Sequence, residues 1–156
     1  MFFKLNLIQD LALDPITKTN INDIEFIVNE TEISETKTNE LTNEELLDFL
    51  KIHEFEHSTS HKKLCFAVVN RIYRRVKLGY TFGGIKVCRD KNIVVDGNHR
   101  YVAYSIAGIR IDVIDATSSI CDFASGFADI YLEFLEDWDA NNPKTEKYLN
   151  DDFLID

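Results

Sequence analysis

The sequence predicts a small α+β domain, a mixed sheet with helices packed against it, extended by an acidic C-terminal helix. Three observations carry this expectation. The apolar run Ile93-Val94-Val95 stops at Asp96-Gly97 and restarts as the helix-like stretch Tyr101 to Ala107, so a strand turns directly into a helix. Ahead of it, residues 61 to 78 place Leu64, Val68, Ile72 and Val76 at i, i+4 spacing and stop at Gly79. Behind it, Ile109-Arg110-Ile111-Asp112-Val113-Ile114 alternates apolar and polar residues as a half-buried strand does. The chain has 156 residues, 45% of them hydrophobic, and two prolines, enough for one cored domain over 1–156. Its motif core spans about 61–115, and the acidic helical extension about 120–156.

Taken in order, Phe2 to Leu13 is a first apolar stretch, and Ile24-Glu25-Phe26-Ile27-Val28 has the β-branched and aromatic content of a strand. Thr31 to Asn39 is polar enough for a loop. Thr42 with Glu45 three residues on forms a capping box, and Leu46, Leu47, Phe49 and Leu50 supply the apolar side of the helix it starts. The helix of residues 61–78 carries Arg71, Arg74 and Arg75 on its outer face. After Gly83-Gly84 come a strand at Ile85 to Cys88, a turn at Arg89 to Asn92 and the strand into Asp96-Gly97. Gly108 ends the following helix. Asp122 to Ala140 reads as an acidic amphipathic helix, and Asn141 to Asp156 as a polar end.

Charge narrows the partners. The formal net charge is −10, which disfavours a general nucleic-acid or anionic-membrane binder, because such proteins need positive surface to displace counterions or meet headgroups. The charge is unevenly placed: residues 1–57 carry −9, residues 58–110 carry +9 and residues 111–156 carry −10. A basic middle between acidic ends suits one local site for a small anion, with acidic surfaces left for a protein partner. Cys65, Cys88 and Cys121 are odd in number and set among apolar residues, which fits reduced core cysteines and a cytoplasmic location. No run approaches the roughly 18 apolar residues of a membrane span, and Met1-Phe2-Phe3-Lys4 lacks the features of a secretion signal.

The Asp96-Gly97-Asn98-His99-Arg100 turn is the leading chemical feature. The first N–H groups of a helix have no intrahelical partner, and with the positive end of the helix dipole they attract phosphate. Gly97 lets a ligand approach the backbone, Arg100 can fork onto phosphate oxygens, and Asp96 can orient a neighbour or hold a metal ion. A second motif, His53-Glu54-Phe55-Glu56-His57, satisfies the HExxH zinc pattern. A helix of about 100° per residue would put both histidines on the side of Leu46 and Leu50. Zinc is nevertheless disfavoured: His61 falls two residues short of the third-ligand spacing, residues 58–95 hold only Asp90 as a carboxylate, and Ser58-Thr59-Ser60 suggests the helix stops there. Neither a serine elbow, a P-loop nor a complete dinucleotide fingerprint is present.

From Ile85 to Val113 the chain resembles the fold family shared by ParB N-terminal domains, sulfiredoxins and free serine kinases. The likeness rests on Ile85-Lys86-Val87, on Ile93-Val94-Val95-Asp96-Gly97-Asn98-His99-Arg100-Tyr101-Val102-Ala103, on Gly108 and on Ile111-Asp112-Val113, about 30 residues in all. The helices ahead extend it loosely over about 90. The resemblance implies contact of Gly97, Asn98, His99 and Arg100 with nucleotide phosphates. Sulfiredoxins place a catalytic cysteine where this chain has Asn98, which disfavours sulfinic acid repair. Chromosome-partitioning relatives carry a further helix-turn-helix and a more basic turn, which disfavours DNA partitioning. The serine kinases use an Asp-Gly-x-His-Arg turn, the nearest pattern, with a glutamate from the N-terminal part as base; Glu30 and Glu32 are the candidates here.

The expectation is therefore a nucleotide-binding domain, with ATP or CTP and Mg²⁺, acting as an NTP hydrolase or small-molecule phosphotransferase. Asp96, His99 and Arg100 form its catalytic group, with Asp96 orienting His99 or Mg²⁺. Gly97, Asn98, His99 and Arg100 are its phosphate ligands, and Arg71, Arg74 and Arg75 are further candidates. The alternative is a non-catalytic interaction module, such as an antitoxin or immunity-like protein, that meets a basic partner through its acidic ends. A nuclease-type toxin is a third reading, opposed by the acidic surface.

Overall fold

The computed structural model describes residues 40–116 and 123–149, all within one compact unit, Thr36–Asp156. The expected elements at Phe2 to Leu13, Ile24 to Val28 and Thr31 to Asn39 lie outside the described residues, as do Glu30 and Glu32.

Helix α1 spans Asn43–Ile52 and starts as its sequence requires: Thr42 accepts from the Glu45 N–H while the Glu45 side chain takes the Thr42 N–H at 2.9 Å, satisfying two otherwise orphaned donors. Leu46 and Leu50, one turn apart, are its buried residues. Strand β1 (Ser58–Thr59) and β2 (Lys63–Cys65) precede helix α2 (Phe66–Lys77), and β3 (Ile85–Cys88) and β4 (Ile93–Asp96) follow it. Helix α3 occupies Asn98–Ala107, and β5 (Val113–Asp115) and β6 (Tyr131–Glu133) complete the strands among the described residues.

The four-stranded sheet has the order β1-β4-β3-β5. Strands β3 and β4 form an antiparallel hairpin whose turn holds Asn92 at φ 55°, a conformation that asparagine tolerates better than most residues. Strand β1 pairs in parallel with β4, Ser58 opposite Ile93, and β5 in parallel with β3, Ile85 opposite Val113. A separate parallel pair joins β2 to β6. Helices α2 and α3 pack on each other. The core gathers Leu46 and Leu50 of α1, Leu64, Val69, Ile85, Val94, Val102, Phe127 and Leu132. This is the small α+β fold that the sequence predicts.

Three expectations are corrected. The helix of residues 61–78 begins only at Phe66, because Lys63–Cys65 finds a strand partner at Tyr131–Glu133 that buries Leu64 and Leu132 together. Periodicity within 61–78 carries no sign of a partner so distant in the chain. The strand of residues 109–114 shrinks to Val113–Asp115, since the Gly108 and Ile109 N–H groups still close the end of α3 on Ser105 and Tyr104. The acidic helix of residues 122–140 is absent from its described part. A 3₁₀ turn at Phe127–Asp129, strand β6 and open turns stand in its place. Cross-strand burial of Leu132 and the pull of Arg71 on Asp137 and Asp139 outweigh its helical periodicity.

The joint between β4 and α3 depends on Gly97, at φ +87°, where an added Cβ would lie 2.8 Å from Arg100 Nη2 and 3.0 Å from Ile85 Cγ2. Gly97→Ala is expected to lower the unfolding free energy by about 2 kcal/mol, combining backbone strain with a clash. At Gly79, φ +89° with open space around it, the same change should cost about 1 kcal/mol. Urea unfolding of the two variants measures the difference, and equal costs would contradict the steric account.

Candidate functional site

The turn after β4 places Gly97 at the N-cap of α3 in the left-handed conformation, with no side chain capping the helix. The first backbone donors of α3 therefore have no capping oxygen, as anion binding by a helix start requires. The next three side chains diverge to three other parts of the chain. Asn98 is 1% exposed; its Oδ1 accepts from Thr59 Oγ1 at 2.7 Å, and its Nδ2 donates to the Val94 carbonyl at 3.3 Å. His99 Nε2 accepts the Cys65 backbone N–H at 3.0 Å. Arg100 donates from Nη1 to the Gly83 carbonyl at 2.8 Å.

Asp96 is half exposed; its carboxylate lies 3.5 Å from Arg100 Nη2 and 3.8 Å from Lys86 Nζ. It thus faces Arg100 where His99 was the expected neighbour. Asn98 likewise departs from expectation: its side chain is sealed between β1 and β4, so only its backbone N–H remains for a phosphate.

A cleft of about 340 Å³ opens beside this turn. Asp96, Gly97, His99 and Arg100 line it from the turn, Arg71 and Arg75 from α2, and Asp139, Thr145 and Tyr148 from the C-terminal segment. Arg71 and Arg75 are each 7% exposed, which corrects the expected outer face of α2. One helical turn apart, they point at the cleft because carboxylates and carbonyls from residues 137–148 meet them there. Arg71 holds Asp139 at 2.5 Å and also Asp137, and Arg75 Nη2 donates to the Tyr148 carbonyl at 2.8 Å. Arg74 turns elsewhere and pairs with Glu40 at 3.2 Å; it does not line the cleft.

His99 is uncharged at neutral pH. Burial, and to a smaller degree the neighbouring His61 ring, push its pKa down to about 4. Since Nε2 accepts the Cys65 amide, the ring proton belongs on Nδ1. A neutral, already engaged imidazole supplies no positive charge to a phosphate; the cationic side chains that line the cleft are Arg71, Arg75 and Arg100. His61, 6.2 Å from His99 between ring centres, is also depressed by burial, partly offset by Asp96.

The HExxH motif is dismantled by the end of α1. His53 is the C-cap, with extended backbone, and stacks on Phe49 at 4.4 Å. His57 lies beyond the helix and bonds Asn92 Oδ1 at 2.6 Å through Nδ1. The two histidines therefore do not share a helical face. Among the described residues no group of three or more His, Cys, Asp or Glu side chains is placed to hold a metal ion. Sequence reasoning missed Asp139, Thr145 and Tyr148 at the cleft, and Asp137 and Trp138, which meet its lining residues Arg71 and His99. The one available signal was a tryptophan flanked by two aspartates in a segment otherwise read as helix. No protein-family model, curated protein or solved structure matches this chain.

Two outcomes follow from these contacts. Below pH 6.5 the unfolded chain protonates His99 while the folded protein does not, so stability falls as pH drops towards the folded pKa and levels off below about 4. Between pH 7 and pH 5 the loss from this residue is about 2 kcal/mol. His99→Gln should flatten that part of the curve of unfolding free energy against pH. Asn98→Ala, which takes the acceptor away from the buried Thr59 hydroxyl proton while the His61 N–H still donates to that oxygen, should cost about 2 kcal/mol in urea unfolding; a cost near zero would mean the bond is not formed.

Proposed function

We propose that this protein binds a nucleotide or another phosphorylated small molecule in the cleft between α2, the start of α3 and the C-terminal segment. The observation that carries this reading is the convergence of three arginines, Arg71, Arg75 and Arg100, on an uncapped helix start at Gly97. Phosphate oxygens are well matched to guanidinium forks and to the free N–H groups of a helix start. The resemblance of residues 85–113 to ParB, sulfiredoxin and serine kinase domains supports the same ligand class, with ATP or CTP as the first candidates. The buried, free thiols of Cys65 and Cys88 suit a cytoplasmic setting. No helix among the described residues is long and apolar enough to cross a membrane.

Mg²⁺ enters this reading with the nucleotide. Magnesium commonly takes one or two protein carboxylates together with substrate phosphates, and Asp96 is the carboxylate of the turn that would hold it. That fits an ion carried in by its ligand better than one held by the protein alone. Bound Mg²⁺ would screen phosphate charge and polarise a phosphoryl oxygen. Arg100 would orient the phosphates, Arg71 and Arg75 would neutralise them, and the neutral His99 ring would fix the wall of the cleft. Hydrolysis or transfer to a small acceptor needs a base as well. The resemblance assigns that part to Glu30 or Glu32, both outside the described residues.

A second reading, a non-catalytic module that meets a basic protein, is favoured by one observation. Tyr131 and Leu135, 57% and 95% exposed, share a short segment with Glu133 and Glu136, a mixture of apolar and acidic surface suited to a protein partner. A thermal-shift screen with nucleotides, with and without Mg²⁺, separates the two readings.

Arg100→Ala is expected to weaken ATP or CTP binding by about a hundredfold, the effect of losing a bidentate charged contact, while the far-ultraviolet circular dichroism stays that of the wild type. Equal calorimetric affinity in the variant would remove Arg100 from the site.

A further inference from the structure

The segment Asp137-Trp138-Asp139 lies against Arg71 and His99, and we infer that it is a displaceable internal anion: a strap whose carboxylates occupy Arg71 until phosphate oxygens take their place. The inference rests on the reading of the cleft as an anion site and adds a means of regulating it.

Arg71 gives both terminal nitrogens to this strap, Nη1 to Asp139 Oδ2 at 2.5 Å and Nη2 to Asp137 Oδ2. A guanidinium with 8% of its side chain exposed must be matched by anionic oxygens, because a lone buried charge is costly. Two carboxylate oxygens meet that need, and so would two oxygens of a phosphate presented to the same fork. The strap is shaped for the purpose. The Asp139 N–H donates to Asp137 Oδ1 at 3.1 Å and the Ala140 N–H to the Asp137 carbonyl at 3.2 Å, a tight turn that aims both aspartates at one arginine. Trp138, between them, meets the His99 ring edge to face, centroids 5.5 Å apart.

The strap is also built to leave. Residues 134–145 form bends and turns, with no helix or strand to break. Leu135, just before it, is 95% exposed, and Asp137 keeps 28% of its side chain in solvent. Exchange of carboxylate for phosphate would conserve the charge around Arg71, so the barrier is the ordering of the strap, the contact of Trp138 with His99 and the hydrogen bond from Cys65 Sγ to the Glu136 carbonyl at 3.1 Å. The apparent affinity of the cleft is then lowered by the fraction of molecules in which the strap is seated.

The test uses the full chain and two probes, inorganic pyrophosphate and ATP, each with and without Mg²⁺. Calorimetry compares the wild type with Asp137→Asn, a change at the more exposed aspartate, and with Asp137→Asn/Asp139→Asn. Trp138 is the chain's single tryptophan, so its emission reports on the strap directly. The expected result is binding about tenfold tighter in Asp137→Asn, the effect of removing one charged competitor. A red shift of wild-type emission should accompany saturation as Trp138 leaves His99 for water. Gain with both probes supports competition by the phosphate chain itself; gain with ATP alone supports competition by the whole nucleotide. Equal affinity in wild type and Asp137→Asn, or an emission spectrum unchanged at saturation, overturns the strap and leaves the anion site standing. Absence of binding in every protein with every probe overturns both. If the double variant does not fold, the single variant and the emission measurement still decide.

Discussion

With Gly97 at φ +87°, strand β4 ends and helix α3 begins within one residue, and everything around the cleft is set by that change of direction. An L side chain at this position would collide with Arg100 and Ile85 as well as strain the backbone. Because the turn is so tight, Asn98, His99 and Arg100 leave the helix start in three directions. Asn98 reaches Thr59 of β1, His99 reaches the Cys65 amide at the entrance to α2, and Arg100 reaches the Gly83 carbonyl ahead of β3. Three consecutive residues thereby tie α3 to the sheet, to the second helix and to the intervening loop.

This arrangement changes how the motif relates to ligand binding. Residues that would ordinarily be credited with phosphate contact already have structural partners: Asn98 is sealed in, and His99 is neutral and engaged. The cationic side chains that line the cleft are Arg100 and the two buried arginines of α2, of which Arg71 is matched by the carboxylates of Asp137 and Asp139. Under the proposed reading the turn would contribute backbone donors and position, and the arginines would contribute charge. That division is physically sensible, since an imidazole desolvated this far loses its proton whereas guanidinium keeps its own.

Charge distribution acquires a structural meaning in the same way. The basic middle of the chain and its acidic C-terminal part are not merely neutralising halves. Arg71 and Arg75 receive Asp137, Asp139 and the Tyr148 carbonyl, so the acidic segment forms one wall of the basic cleft. Burial of Arg71 is tolerable only because those oxygens arrive. The absence of the expected C-terminal helix has the same cause: a regular helix through residues 137–139 would fan the two aspartates about 200° apart around its axis, where one guanidinium could not hold both.

The sequence by itself determined whatever depends on neighbours in the chain. The capping box at Thr42, the β3–β4 hairpin, the strand-to-helix turn at Asp96-Gly97 and the stops at Gly79 and Gly108 are local chemistry, legible from residue type and spacing. Gly97 and Arg100 in the candidate site were legible for the same reason. The tertiary structure alone decided what depends on distant partners. Lys63–Cys65 became a strand because Tyr131–Glu133 lies beside it. Arg71 and Arg75 turned inward because acceptors some seventy positions later in the chain surround them. Asn98 became structural because Thr59 stands opposite it, and His99 lost its charge because the cleft wall removed its water. Periodicity and motif spacing carry no record of such contacts, since each is fixed by packing between segments and not by the order of residues within one.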